Sequence, residues 1–417
     1  MTPATPTTNG HAGGDGRAPW LRVLVVHNRY RSSAPSGENR VVDRERAALT
    51  GLGHEVVRFE RDSDEIEGWS LARKAALPGR AVWSRSVYRE LGAALARRRP
   101  DVVHVHNTFP LLSPAVLYAC RDAAVPVVLT LHNYRLGCAG GTFLRGGAVC
   151  HDCVDGSSVQ AVVHGCYKGS RLATAAVVVA NGAHRQAWRS MVSAYVFISA
   201  SQRDLLSGLE LAGERVFVRH NLIPGRSVPQ VPREDVVLYA GRLDAAKGVR
   251  LLMAGWDCYR RGRPGSGGLR LVIAGAGVLE REVAAWAASR PSVELVGLAD
   301  EAGCSALMAR ARAVLLPSTW EEPFGLVAVE AMAAGAPPIA AGHGAFTELI
   351  TDGVDGVLFP PGDAGALGAA IADVEADPDR YLGYGCQARE TYQKHFDPDR
   401  NIEQLVEIYR YAIANPA

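Results

Sequence analysis

No run of about 18 consecutive apolar residues occurs in this 417-residue chain, so the sequence offers no membrane-spanning helix. The densest apolar piece, AAVVVA at 175–180, is too short. Excess charge is also missing: 45 Lys and Arg stand against 43 Asp and Glu, and a net charge of +2 gives no argument for a nucleic-acid partner. The first nineteen residues, MTPATPTTNGHAGGDGRAP, lack the apolar core of a signal peptide and are expected to form a disordered tail (1–19) of a cytoplasmic protein. Eight cysteines in such a long chain do not make a secreted disulfide scaffold.

What is present is a series of short β-branched runs: LRVLVV (21–26), HEVVRF (54–59), DVVHV (101–105), VPVVLTL (125–131), AYVFI (194–198) and RVFV (215–218). They alternate poorly, as strands buried on both faces of a parallel sheet do. Helical stretches lie between them, so residues 20–223 are expected to form one βαβ domain. PGRSVPQVPRED (224–235), with three prolines, reads as a linker. The pattern then restarts with VVLYAG (236–241), LRLVIAG (269–275), VELVG (293–297), AVLLP (313–317), PPIAA (337–341) and GVLFP (356–360), giving a second domain over 236–387. The end, 388–417, reads as helical with a break at DPD (397–399) and is a candidate to pack back on the first domain. The expected fold class is α/β, with two Rossmann-like doubly wound domains facing across a cleft. Ligands in such sheets bind beyond the carboxyl ends of the strands.

Several candidate residues stand at those ends. AGRLDAAKG puts Arg242 and Lys247 just past a strand, a guanidinium fork and a compact ammonium suited to a diphosphate; taken alone, two such residues are more often solvated surface cations. Gly275 and Gly277 give G-x-G without the third glycine of a dinucleotide fingerprint, which is commonly a tight turn. In STWEEPFGLVAVEAMAAG, Pro323 suits a helix edge, and the backbone N–H groups of Phe324, Gly325 and Leu326 can meet an anion or a sugar hydroxyl. Glu322 precedes that helix, and Glu330, about two turns inside, interrupts an apolar run. Both are acceptors for ribose or sugar hydroxyls; the plain alternative is a capping carboxylate and an exposed helix Glu. In the first domain, Gly37 and Glu38 open a helix after the first strand. His106 and Asn107 stand at one strand end and His132 and Asn133 at the next. Glu38 is either a site residue or a favourable first-turn acid. Segment 71–99 carries eight basic residues and one acid, a surface for an anionic membrane or acceptor, or simply a solvated helical face.

EPFGLVAVEAMAAGAPPIA resembles the E-x7-E signature of the retaining glycosyltransferases of family 4, which have the GT-B fold. GRLDAAKG and HGAFTELITDGVDGVLFPPGD are similar to that family's flanking segments, in the same order, and the likeness covers about residues 21–410. It departs from the family at Ser36-Gly37, where Gly-Gly is frequent, and at Pro338, where Val is usual. The resemblance implies that Arg242 and Lys247 bind the donor diphosphate, that Glu322 contacts the transferred sugar, and that backbone at Phe324, Gly325 and Leu326 lines sugar and phosphates. Glu330 would hold the ribose, His132 would lie near the donor sugar, and His106, Asn107 and Glu38 would face the acceptor. The implied activity is transfer from a UDP- or GDP-sugar to a glycan, lipid-linked or small-molecule hydroxyl by front-face attack. No catalytic cofactor is implied, and no DxD-type metal motif is expected at a strand end. Alternatives are a non-catalytic nucleotide-sugar-binding protein or a sugar-nucleotide epimerase on the same fold.

The resemblance leaves out a Gly-rich insertion over 138–166. Cys138, Cys150, Cys153 and Cys166 fall there, the central pair spaced C-x2-C and the flanking pair twelve and thirteen positions away. Four soft ligands on short loops are the pattern of a closed structural zinc site, with His151 or His164 as substitutes for one cysteine. Free thiols or two disulfides are the alternatives.

Overall fold

The computed structural model describes residues 20–32, 36–225, 231–261 and 268–417. The expected tail lies outside the described residues, as does part of the expected linker. The first domain is a six-stranded parallel sheet of β1 (Arg22–Arg29), β2 (Glu55–Asp62), β3 (Val102–Asn107), β4 (Val127–Leu131), β5 (Ala194–Phe197) and β6 (Val216–Val218), in the order β2-β1-β3-β4-β5-β6. The second contains β7 (Val236–Ala240), β8 (Arg270–Ala274), β9 (Val293–Gly297), β10 (Ala313–Leu316), β11 (Pro338–Ala341) and β12 (Val357–Phe359), ordered β9-β8-β7-β10-β11-β12 and again wholly parallel. β3, β4, β5, β7, β10 and β11 are buried along their whole length, which explains their unalternating sequences. Strand order reverses between β1 and β3 and between β7 and β10. The loops leaving those strands open the crevices where ligands of doubly wound sheets sit.

Two helices bring the domains together. α1 (Gly37–Gly51) follows β1, and Ser36 Oγ caps it by accepting from the N–H of Asn39. α2 (Leu326–Ala333) follows β10 and buries Ala328, Val329, Ala331 and Met332. The DPD break separates α3 (Pro378–His395) from α4 (Pro398–Ala414): Asp397 accepts from the N–H of Arg400, and Pro398 takes the first turn, where its missing N–H costs nothing. α4 returns to the first domain. Its Ile402, Leu405, Val406, Ile408, Tyr409 and Ala412 bury against Leu21, Val23, Val25 and Val128. Each large apolar side chain so buried contributes roughly 1.5–3 kcal/mol before conformational entropy is counted. Arg219 fixes the crossing, with Nη1 2.6 Å from buried Glu45 and Nη2 2.6 Å from Asn401 Oδ1.

Candidate active site

On the second domain, the loop after β7 runs against the loop after β8. Gly241 and Leu243 donate to the carbonyls of Ala274 and Ala276. A Cβ on Gly275 would fall 1.8 Å from the Gly241 oxygen, and one on Gly277 2.5 Å from the Leu243 oxygen. These glycines therefore allow two strand-end loops to touch. Arg242 stands half-exposed at this rim, its Nε 3.1 Å from Asp244. Lys247 Nζ lies 2.5 Å from Glu322 Oε1, and Ser318 Oγ donates to the same oxygen at 2.7 Å. Glu322 is only 4% exposed. Burial by itself would raise its pKa, but the Lys247 charge and the two hydrogen bonds more than offset it and hold the carboxyl below its ordinary range.

Gly325 precedes α2 at φ 91°, and a Cβ there would meet Phe346 at 2.6 Å. The helix begins at Leu326, so Pro323 stands outside it; its carbonyl accepts from Ser199 Oγ of the first domain at 2.7 Å. The Phe324 side chain is buried, leaving only its backbone for a ligand. Glu330 lies one turn into α2 rather than two. It faces α1, where Arg44 Nη2 is 3.0 Å and Arg40 Nη1 3.4 Å from Oε1; Arg44 also binds Glu301 at 2.9 Å. Arg40 and Arg44 share a face of α1 at i, i+4 spacing. These residues border a crevice of about 450 Å³ with Ile223 and Pro224. Gly37, at the start of α1, is close enough to Leu326 that a Cβ would come within 2.6 Å of Cδ1.

On the first domain, His132 follows β4 and its Nε2 is 2.9 Å from His106 Nδ1. Burial, with smaller contributions from His27 and Arg219, lowers the His132 pKa to about 3, so the ring is neutral. His106 is buried beneath it, with Nε2 3.9 Å from Glu45; this placement supports His132. Asn107 Nδ2 donates to the Asn28 carbonyl and its Oδ1 accepts from the N–H of Phe109, so its side chain shapes the β3 loop. Gln202 Nε2 donates to the Leu131 carbonyl, fixing the approach to His132. His106, Asn107, His132, Asn133 and Arg135 line a cleft of about 600 Å³. Glu38 borders this region, held by Tyr30 Oη at 3.1 Å; burial foremost raises its pKa to about 7, against the pull of Tyr30, Arg135 and Asn133.

Sequence reasoning missed Arg40, Arg44, Gln202 and Arg135. Arg135 Nε and Nη1 are buried without a hydrogen-bond partner, and its guanidinium lies 5.1 Å from the Phe109 ring centre. A D-x-D spelling, Asp62-Ser63-Asp64, does stand at the end of β2, contrary to expectation. Asp62 accepts from the N–H of Asp64 and Asp64 from the N–H of Ser32, so both carboxylates serve the local backbone.

The four clustered cysteines line one small cavity with Leu144, Arg145 and Asp152. No disulfide joins them. His151 is not turned to them: its Nε2 lies 2.6 Å from Glu321 Oε2 on the second domain.

Two doubly wound domains closing on a polar cleft, with a Lys–Glu pair and a glycine-led helix on one wall and a neutral histidine pair on the other, define a GT-B glycosyltransferase. The model described as Glycosyltransferase Family 4 matches residues 35–224, and that described as Glycosyl transferases group 1 matches 234–377. The chain belongs to glycosyltransferase family 4. It is 28% identical over 427 residues to glycogen synthase of Mycobacterium tuberculosis, covering 93% of this chain and 94% of that one. Sucrose-phosphate synthase of Thermosynechococcus elongatus superposes with a TM-score of 0.68 at 19% identity, covering 94% of this chain and 99% of that one. Anabaena HepE in complex with UDP-glucose superposes at 0.64 and 18% identity, covering 93% and 98%.

Proposed function

We propose that the protein transfers a sugar, with retention of anomeric configuration, from a UDP- or GDP-sugar to an acceptor hydroxyl. The observation that carries this reading is the Lys247–Glu322 pair beside the Gly325 end of α2. Arg242, Lys247 and the free N–H groups at the start of α2 form a preorganised cradle for the diphosphate as its charge grows. Glu322, held ionised, accepts hydrogen bonds from hydroxyls of the sugar, and Glu330 accepts from the ribose. In front-face transfer the C1–O bond to phosphate breaks, the acceptor oxygen bonds to C1 on the same face, and the acceptor proton passes to the departing phosphate oxygen. Neutral His132 offers a hydrogen bond to the sugar without adding charge. The UDP-glucose complex of Anabaena HepE is consistent with this donor class.

The acceptor enters from the first domain, where Arg135, whose Nε and Nη1 make no hydrogen bond, suits an acceptor carrying an anionic group, such as a lipid-linked phosphate. Exposed Leu71 and Leu172, together with Arg73, Lys74 and Arg171, place apolar and basic groups on that domain's surface, suited to peripheral contact with an anionic membrane. No helix of the described residues is long and apolar enough to cross a membrane. A panel of UDP- and GDP-sugars, followed for donor hydrolysis by NMR and then offered acceptors, tests the reading. Turnover of one donor with a retained product supports it; binding without turnover of any donor, or an inverted product, contradicts it.

A further inference from the structure

We propose that Cys138, Cys150, Cys153 and Cys166 hold one zinc ion, and that this ion orders the loop setting His151 against Glu321 across the cleft. The backbone frame for such a site is built. Leu144–Arg145 and Ala148–Val149 form a two-stranded hairpin, turned at Gly146 and Gly147, that brings Cys150 back beside the Cys138 segment. The N–H of Cys150 donates to the Phe143 carbonyl at 2.8 Å, closing the hairpin base. Cys166 returns from the other side: a Cβ on Gly140 would lie 3.7 Å from the Cys166 Cβ and 3.8 Å from the Cys138 sulfur. All four residues line the same cavity, though they span 28 positions of sequence.

Cys138 and Phe143 belong to the first-domain core, and Cys153 and Cys166 pack on a small cluster around Ala139, Ala161 and Val177, but no residue of 144–160, the stretch that carries Cys150 and Cys153, is itself buried. A metal bound only in the folded state adds its binding free energy to that of the fold. Among the described residues, only Glu45, His104 and His106 bring three ligand atoms within 4.8 Å of one another, so the four thiols must rotate inward to close a tetrahedron. In the Glu45 group the ligand atoms are largely engaged otherwise: Arg219 binds Glu45 Oε1, and Thr130 and Tyr409 take both nitrogens of His104, which leaves Glu45 Oε2 without a hydrogen bond.

The consequence lies between the central cysteines, in the sequence Cys150-His151-Asp152-Cys153. His151 packs edge-on to Phe143 at 5.0 Å and reaches Glu321, the neighbour of Glu322. Ligation on both sides of His151 would fix a side chain that ties the insertion to the donor loop. This positioning role rests on the glycosyltransfer reading above; the metal site does not.

The test uses the full-length protein. Elemental analysis should give one zinc per chain, with the four thiols unreactive until a chelator removes it. Replacement by cobalt should give the thiolate-to-metal charge-transfer absorption of a tetrahedral sulfur site. C150S/C153S should lose the metal. His151→Ala should keep zinc and the cobalt spectrum but raise the donor KM about tenfold with a smaller change in kcat, and His151→Gln, which can still donate to Glu321, should recover most of that. A zinc-free wild type with four titratable thiols, or disulfides among them, overturns the metal site. Unchanged kinetics in His151→Ala overturns the positioning role. Zinc present in a protein that turns over no sugar nucleotide counts against the glycosyltransfer reading and leaves the metal site standing.

Discussion

Lys247 Nζ lies 2.5 Å from Glu322 Oε1, and the two partners differ in exposure: the lysine side chain is 25% exposed, the glutamate 5%. Removing one is therefore not equivalent to removing the other. Lys247→Ala leaves a buried carboxylate without its countercharge, a loss of about 3–5 kcal/mol in buried pairs. Glu322→Gln leaves a lysine that still reaches water and an amide that can still bond Ser318. Both variants should lose at least a hundredfold in kcat/KM, about 2.7 kcal/mol of transition-state stabilisation. Only Lys247→Ala should lower the melting temperature markedly. Calorimetry and steady-state kinetics check this; equal melting temperatures, or turnover near wild type in either variant, contradict it.

Glu330 is held by Arg44 and Arg40 across the domain boundary. If it also holds the donor ribose, Glu330→Ala should raise the donor KM roughly tenfold, about 1.4 kcal/mol, with a smaller effect on kcat. Arg44→Ala should not copy that effect, since Glu330 would remain to take the ribose. A double-mutant cycle on donor affinity separates the roles. Identical KM increases in both single variants and in the double variant would mean that Glu330 acts only through Arg44.

Parallel strands announce themselves locally, because burial on both faces removes polar alternation, and the runs at 23–26, 127–131 and 236–240 show it. The E-x7-E pattern was legible for a similar reason: Glu330 is conspicuous in an apolar helix. Its partners were not, since Arg44 is 286 positions away and reads as one more surface cation of α1. The same holds for His151, 170 positions from Glu321. Lys247 and Glu322 were both singled out, but as ligands of different parts of the donor; their pairing follows from the approach of two strand-end loops. The D-x-D at β2 escaped because the strand extends to Asp62, past the apolar run that marked it.

Addition of magnesium or manganese should leave the transfer rate within about twofold, because Arg242, Lys247 and the start of α2 supply the positive potential at the diphosphate. Rates measured with and without each ion, in the absence of chelator, check this without disturbing a structural metal. A rate that rises tenfold or more with either ion would show that these protein groups do not suffice.

Glu38 should make stability fall with rising pH in the neutral range. Its side chain is 8% exposed, and burial raises its pKa from 4.5 to about 7 against the opposing pull of Tyr30, Arg135 and Asn133. Glu38 Oε1 and His27 Nδ1 are both buried without a hydrogen-bond partner and lie 3.8 Å apart. Asn39 Oδ1 accepts from the N–H of Tyr30 and lies 2.9 Å from His27 Nε2, so that nitrogen carries the ring proton and Nδ1 is left as an acceptor. One proton on Glu38 Oε1 would answer both orphans once the two side chains close that gap by a few tenths of an ångström or more. The folded state thus binds this proton more tightly than the unfolded chain does. A raised carboxyl pKa contributes stability that is fully present below about pH 4.5 and lost as pH rises through 7. The shift corresponds to roughly 3 kcal/mol at most. Glu38→Gln, which mimics the protonated form, should match the wild type near pH 4.5 and exceed it by up to that amount at pH 8. Urea unfolding of both proteins across this range measures the difference, and parallel stability profiles would contradict it.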